Sequence, residues 1–244
     1  VDNDKEPIFN VPASALGLLA LLIGIHVFRQ FLPEDIDNWF VLALAFVPAR
    51  YTGLAGELPG GDIAVWTSPL THALLHGNFS HLLLNSAWLL AFGGAVAQRV
   101  GGWRFLLFSA LTAIAGALTF LAFNWGLVAI MIGASGAVAG MMGAAMRFFF
   151  SALDTGGLRM LREAPASVPL APLSAVFRDR RIVLVTVLFL MLNALALFGF
   201  GGPGSGEGGI AWEAHIGGYF MGLLTFGLFD RPAEVRSGEN LPGP

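Results

Sequence analysis

The sequence contains no cysteine, which excludes a disulfide framework, thiolate chemistry and cysteine-based metal sites. Charge is nearly as scarce. Asp, Glu, Lys and Arg make up 12% of the 244 residues, against about 25% in an ordinary soluble domain. A soluble protein this poor in charge could not cover its surface. With 56% hydrophobic residues and a mean hydropathy of +0.73, most of the chain has lipid as its solvent. Internal repeats are not evident, and a single domain is expected. The first residues are acidic and polar (Asp2, Asp4, Glu6), and the first apolar run is long enough to span, so no removable leader is expected.

A crossing needs about 20 mostly apolar residues. Six runs qualify: 11–32, 82–98, 103–124, 127–150, 182–200 and 210–229. The run 39–47 is too short to cross and belongs to a segment, 33–80, expected to lie partly embedded at the interface. Six crossings place both termini on one side, together with the connections near 99–104 and 147–181. That side holds Lys5, Arg99, Arg104, Arg147, Arg159, Arg162, Arg178, Arg180, Arg181, Arg231 and Arg236; the other holds only Arg29 and Arg50. Eleven cations against two put the termini in the cytoplasm. The expected layout is a cytoplasmic segment 1–10, a six-span membrane domain 11–230 with a cytoplasmic loop 151–181, and a cytoplasmic tail 231–244. The loop, with Pro165, Pro169, Pro172 and its arginines, reads as an exposed connector touching anionic headgroups.

Polar residues inside spans are expensive and therefore informative. Here they gather near the external starts of alternate spans: His81 and Asn85 in the second, Ser135 in the fourth, His215 in the sixth. His81 and Asn85 are four apart and share a helix face, with Ser80 the expected N-cap. By themselves they read as interhelical glue. Ser135 stands in Gly133-Ala134-Ser135-Gly136, where glycine permits sharp backbone geometry. A nearby helix N-terminus offers free N–H groups to an oxyanion. Gly218 and Gly222 lie beneath His215, and Ala139, Gly140, Gly143 and Ala144 offer a matching small surface on span four. Close helix axes would let a short serine side chain reach an imidazole, the pairing of nucleophile and base.

GASGAVAG around Ser135, HLLLN from His81 to Asn85, and AHIGGYFMG around His215 resemble the rhomboid protease family, in that order along the chain. THALLHGNFSHLLLN, with His72 and His76, resembles it as well. The resemblance covers roughly residues 66–230. It implies an all-α, polytopic fold of six transmembrane helices in a rhomboid-like bundle. It also implies an intramembrane serine endopeptidase cutting transmembrane protein substrates near their external ends. Ser135 would attack, His215 would be the base of a Ser–His dyad, and Ser135 N–H, His81 and Asn85 would hold the oxyanion. No metal, cofactor or nucleic acid is implied, the partners being substrates and the bilayer. The expected location is the bacterial inner membrane. The loop 201–210 would be a cap over the site.

Three positions depart from the family pattern. Thr67 follows Trp66 where the family often has Arg. Ala97 or Gln98 stands in place of a Glu, and Ala139 replaces a common aromatic four residues after the serine. Tyr219 or Met142 is the expected filler beside Ala139. The competing functions are a catalytically inactive client-binding relative, a transporter with an intramembrane histidine, and a metalloprotease. The last would rest on His72 and His76 but lacks the Glu of HExxH; hydrogen bonding that fixes the first external loop is the expected role of these two histidines.

Overall fold

The structure, a computed structural model, describes residues 11–195 and 210–230, the side chains of 162 and 163 excepted. The segments 1–10 and 231–244, and all but the last residue of the loop 201–210, lie outside the described residues, with Lys5, Arg231 and Arg236 among them.

The described residues are helical throughout, apart from turns and one isolated antiparallel bridge between Phe46 and Met131. Helix α1 (Ala13–Arg29) is apolar and comparatively short. α2 (Glu34–Leu44) starts after Pro33 with Glu34, Asp35 and Asp37 in its first turn, where negative charge complements the helix dipole. α3 (Gly61–Thr71) follows two short 3-10 turns. Helices α4 (Phe79–Trp88) and α5 (Gly94–Val100) are joined without a break by a π-helical turn, Leu89–Gly93. Gly101, at φ 83°, then reverses the chain into α6 (Gly102–Phe123). The long α7 (Ser135–Glu163) is followed by the short α8 (Leu173–Val176), α9 (Arg180–Leu195) and α10 (Trp212–Thr225). Three stretches are long and apolar enough to cross a membrane: Phe79–Val100, Gly102–Phe123 and Ser135–Leu161. The chain is an integral membrane protein.

Helices α6, α7 and α10 form the centre, and glycine decides how close they come. A Cβ on Gly218 would overlap the Gly136 carbonyl, one on Gly222 the Gly140 carbonyl, and one on Gly143 the Tyr219 carbonyl. The seam between α7 and α10 is therefore backbone against backbone. This is the small-residue contact expected from the spacing, and it relies on dispersion, because lipid supplies no hydrophobic driving force between helices.

The segment 33–80 is folded and docked on the helices around it. Arg50 is buried and its Nη2 donates to Leu42 O at 2.6 Å and Pro59 O at 2.8 Å. Phe46 and Met131 exchange both bridge hydrogen bonds, and Ala49 N donates to Leu127 O. This docks the segment against the stretch that leads into α7.

One expectation is corrected here. Residues 127–134 are not helical: the helix of the fourth apolar run begins at Ser135, and Gly157, at φ 69°, kinks it before Glu163. The loop 151–181 keeps many exposed residues and is tied down at three carbonyls. Arg99 Nη1 donates to Pro165 O and Val168 O, both at 2.8 Å, and Arg147 Nε donates to Ala171 O at 2.7 Å. The buried cations satisfy their donors with loop carbonyls. Arg99 also forms a bidentate pair with Asp230 (2.8 and 2.9 Å) and stacks on Phe148.

Candidate active site

Helix α4 begins where Asn78 accepts a hydrogen bond from His81 N at 2.8 Å. Asn78, not Ser80, is the cap; the Ser80 hydroxyl instead donates to Asn78 Oδ1. The cap orients the first turn, and Asn85 lies one turn below His81. One amide hydrogen of Asn85 is spent on His81 O at 3.0 Å. The second hydrogen remains available to a ligand.

The approach to α7 is a sharp bend. Gly133 has φ 122°, a conformation that L side chains rarely adopt. Its N–H is tied to His72 O at 3.0 Å. A Cβ there would lie 2.7 Å from the His81 ring and 3.8 Å from Ser135 Oγ. The missing side chain thus lets His81 and Ser135 approach the same space. Ser135 is the first residue of α7, after Ala134 as N-cap. The first intrahelical bond runs from Val138 N to Ala134 O. The amides at the head of α7 therefore precede the helical ladder, with the positive end of the dipole behind them.

His215 sits in the first turn of α10, next to the buried Glu213, which accepts from Asn124 Nδ2 at 2.9 Å. Ser135, His215 and Asn85 line one cavity of about 300 Å³. Apart from Asn193 its remaining wall is apolar: Trp88 at the end of α4, Phe92 in the π-helical turn, Val138 and Met142 on α7, and Leu188 and Leu192 on α9. Ser135 Oγ makes no direct hydrogen bond to His215 in this arrangement. The His81 side chain is not part of the cavity lining and stands behind Gly133.

One lining residue was not anticipated from the sequence. Asn193 on α9 places its Oδ1 2.8 Å from His215 Nδ1, and its Nδ2 donates to Phe189 O at 2.8 Å. A signal was present, because Asn193 is an amide in an otherwise apolar run. Its partner could not be read, since the contact joins residues 22 apart on different helices.

Ala139 lines the cavity and belongs to the same apolar cluster as Tyr219, with Met142 and Phe189 packed against it. Tyr219 is fully buried, stacks on Phe189 with centroids 4.6 Å apart, and bonds through its hydroxyl to Thr186 at 2.7 Å. Its polar group thus serves α9 and not the imidazole.

Of the two histidines expected to hydrogen-bond the loop before α4, His72 does so only within its own helix, its Nδ1 lying 3.0 Å from Ser68 O one turn back. Neither ring nitrogen of His76 has a hydrogen-bond partner among the described residues; its backbone carbonyl accepts from Arg29 Nη1 at 2.8 Å, and its ring packs on His81 with centroids 5.1 Å apart.

Comparison with known proteins bears on the whole arrangement. The model of the Rhomboid domain matches residues 64–231. The chain is 27% identical over 223 residues to the rhomboid protease GlpG of Enterobacter sp. (strain 638). That alignment covers 90% of this chain and 66% of the relative's length.

Proposed function

Because the chain belongs to the rhomboid family, we infer that it is an intramembrane serine endopeptidase acting on transmembrane protein substrates by a Ser135–His215 dyad. The observation that carries this reading is the shared cavity: a serine on the first turn of a helix, an imidazole from a second helix and an amide from a third line one pocket. Its apolar wall suits a peptide segment delivered from lipid.

The proposed chemistry gives each group the role that its match to the rhomboid motifs implies. Ser135 Oγ attacks the scissile carbonyl as its proton passes to His215 Nε2. The carbonyl oxygen gains the negative charge and takes hydrogen bonds from Ser135 N–H, the second Asn85 N–H and the His81 ring. Collapse of the tetrahedral adduct breaks the C–N bond, and His215 gives its proton to the leaving amine. Water then repeats the cycle on the acyl ester. This step requires a Ser135–His215 hydrogen bond, and catalytic bonds of this kind commonly tighten only with substrate bound.

The same reading includes six transmembrane helices, with α1, α9 and α10 belonging to the crossings beyond the three long stretches. It places 1–10 and 231–244 in the cytoplasm on either side of the membrane domain 11–230, in a bacterial inner membrane. The basic residues on one side support this.

The test is a fluorophosphonate probe on the purified protein, together with cleavage of a transmembrane reporter. Labelling at Ser135, lost in Ser135→Ala and His215→Ala along with cleavage, is the expected result. The double variant should be no worse than either single one. A folded protein that takes no label and cuts no reporter is instead an inactive client-binding relative.

A further inference from the structure

A base needs one ring nitrogen free, and on a histidine that is decided by what the other nitrogen does. The donors and acceptors around Asn193 leave a single assignment. Phe189 O is a carbonyl and only accepts, so the nitrogen of the Asn193 amide faces it, at 2.8 Å. The amide oxygen is thereby turned to His215 Nδ1, also at 2.8 Å. An amide oxygen only accepts, so Nδ1 carries the hydrogen. The lone pair is then on Nε2.

Asn193 is also placed to hold this arrangement. It is 8% exposed, and with Ile182 it is the only buried residue of α9. Leu184, Leu188, Met191 and Leu192 on the same helix are more than half exposed. What seats α9 on α10 is one strip spaced at helical intervals. Thr186 bonds to Tyr219, Phe189 stacks on Tyr219, and Asn193 bonds to His215.

We propose that Asn193 is the positioning residue of this site: its amide fixes the tautomer and ring orientation of His215 and thereby ties the base to the seating of α9. This rests on the reading of Ser135 and His215 given above. An amide orients the imidazole without adding a full charge. The cavity groups around the imidazole (Asn85, Ser135 and Asn193) are uncharged, and His81 is its titratable neighbour. A carboxylate at 193 would keep the hydrogen bond and also stabilise the imidazolium, raising the basicity of His215.

The experiment compares wild type, Asn193→Leu and Asn193→Asp in detergent, each normalised to folded protein by its melting curve. Two readouts are taken: the second-order rate of fluorophosphonate labelling across pH, and kcat and KM on a transmembrane reporter. Asn193→Leu should slow labelling and kcat by roughly 10- to 100-fold, less than loss of the base itself, and leave KM unchanged. Asn193→Asp should recover most of the rate and move the acidic limb of the labelling profile to higher pH. Wild-type labelling and kcat in Asn193→Leu would overturn the proposal. If Asn193→Leu does not fold, an unshifted acidic limb in Asn193→Asp overturns it instead. The two failures are separable. If wild type takes no label at Ser135, the protease reading falls and this proposal with it. If wild type labels and the Asn193 variants match it, only the role of Asn193 falls.

Discussion

At the scale of single residues, the site depends on what Gly133 lacks. A methyl group there would meet the His81 ring at 2.7 Å and would have to adopt φ 122°. Both penalties act on the turn that delivers Ser135. Gly133→Ala should therefore lower the melting temperature and slow fluorophosphonate labelling of the protein that remains folded, the two being measured separately. Asn85 is a different case. One of its amide hydrogens is spent on His81 O, and the residue lines the cavity. Loss of one oxyanion donor typically costs about 2.7–4 kcal/mol in the barrier, and on the proposed reading Ser135 N–H and His81 would remain. Asn85→Ala should lower kcat within that limit and not abolish cleavage. A change in melting temperature with no change in kcat per folded molecule would make Asn85 interhelical glue.

At the scale of elements, the seam between α7 and α10 and the strip between α9 and α10 are held by different forces. The seam has no room for side chains, because Cβ atoms on Gly218 and Gly222 would overlap carbonyls of α7. Overpacking a close contact costs about 1–3 kcal/mol and sometimes more. Gly222→Val should push the helices apart, lowering both thermal stability and labelling rate, since Ser135 and His215 sit on opposite sides of that seam. The α9 strip is partly polar. Tyr219→Phe keeps the stack on Phe189 and removes only the hydroxyl bond to Thr186. Its expected cost is about 1 kcal/mol of stability, with kcat close to wild type because the Asn193 bond is intact. A tenfold fall in kcat would show that Tyr219 supports the imidazole after all.

At the scale of the whole molecule, stability and chemistry sit at different ends. The Arg99–Asp230 pair, with Arg99 donating also to Pro165 O and Val168 O, closes the bundle near the ends of α5 and α10. Ser135 begins α7, roughly three turns before Arg147, which anchors the same loop through Ala171 O. Removing one member of a buried ion pair leaves the other uncompensated, at a typical cost of 3–5 kcal/mol. Arg99→Ala should thus lower the melting temperature in detergent strongly while kcat per folded molecule changes little. A selective loss of kcat would mean that the loop communicates with the site.

Much of this architecture could be read before any coordinates. Scarce charge and long apolar runs mean a helical membrane protein, because only helices or closed barrels satisfy backbone groups in lipid. The glycine spacing of α7 and α10 announced a close seam, since small residues four apart line one face of a helix. The motifs carried the family. Boundaries were less legible. The fourth apolar run looked continuous from 127, yet its helix starts at Ser135. The start of that run is instead docked through Leu127 and Met131 on Ala49 and Phe46, partners about 80 residues away. Hydropathy reports transfer from water, not hydrogen-bond partners, so it cannot find that break. The ties that hold 151–181 were hidden for the same reason, because the buried arginines that bind its carbonyls, Arg99 and Arg147, lie outside it. The sequence by itself determined the solvent, the helical class and the polar residues worth watching. Only the tertiary structure decided that Asn193 meets His215. That contact depends on how two helices rotate against each other, and no local spacing encodes such a rotation.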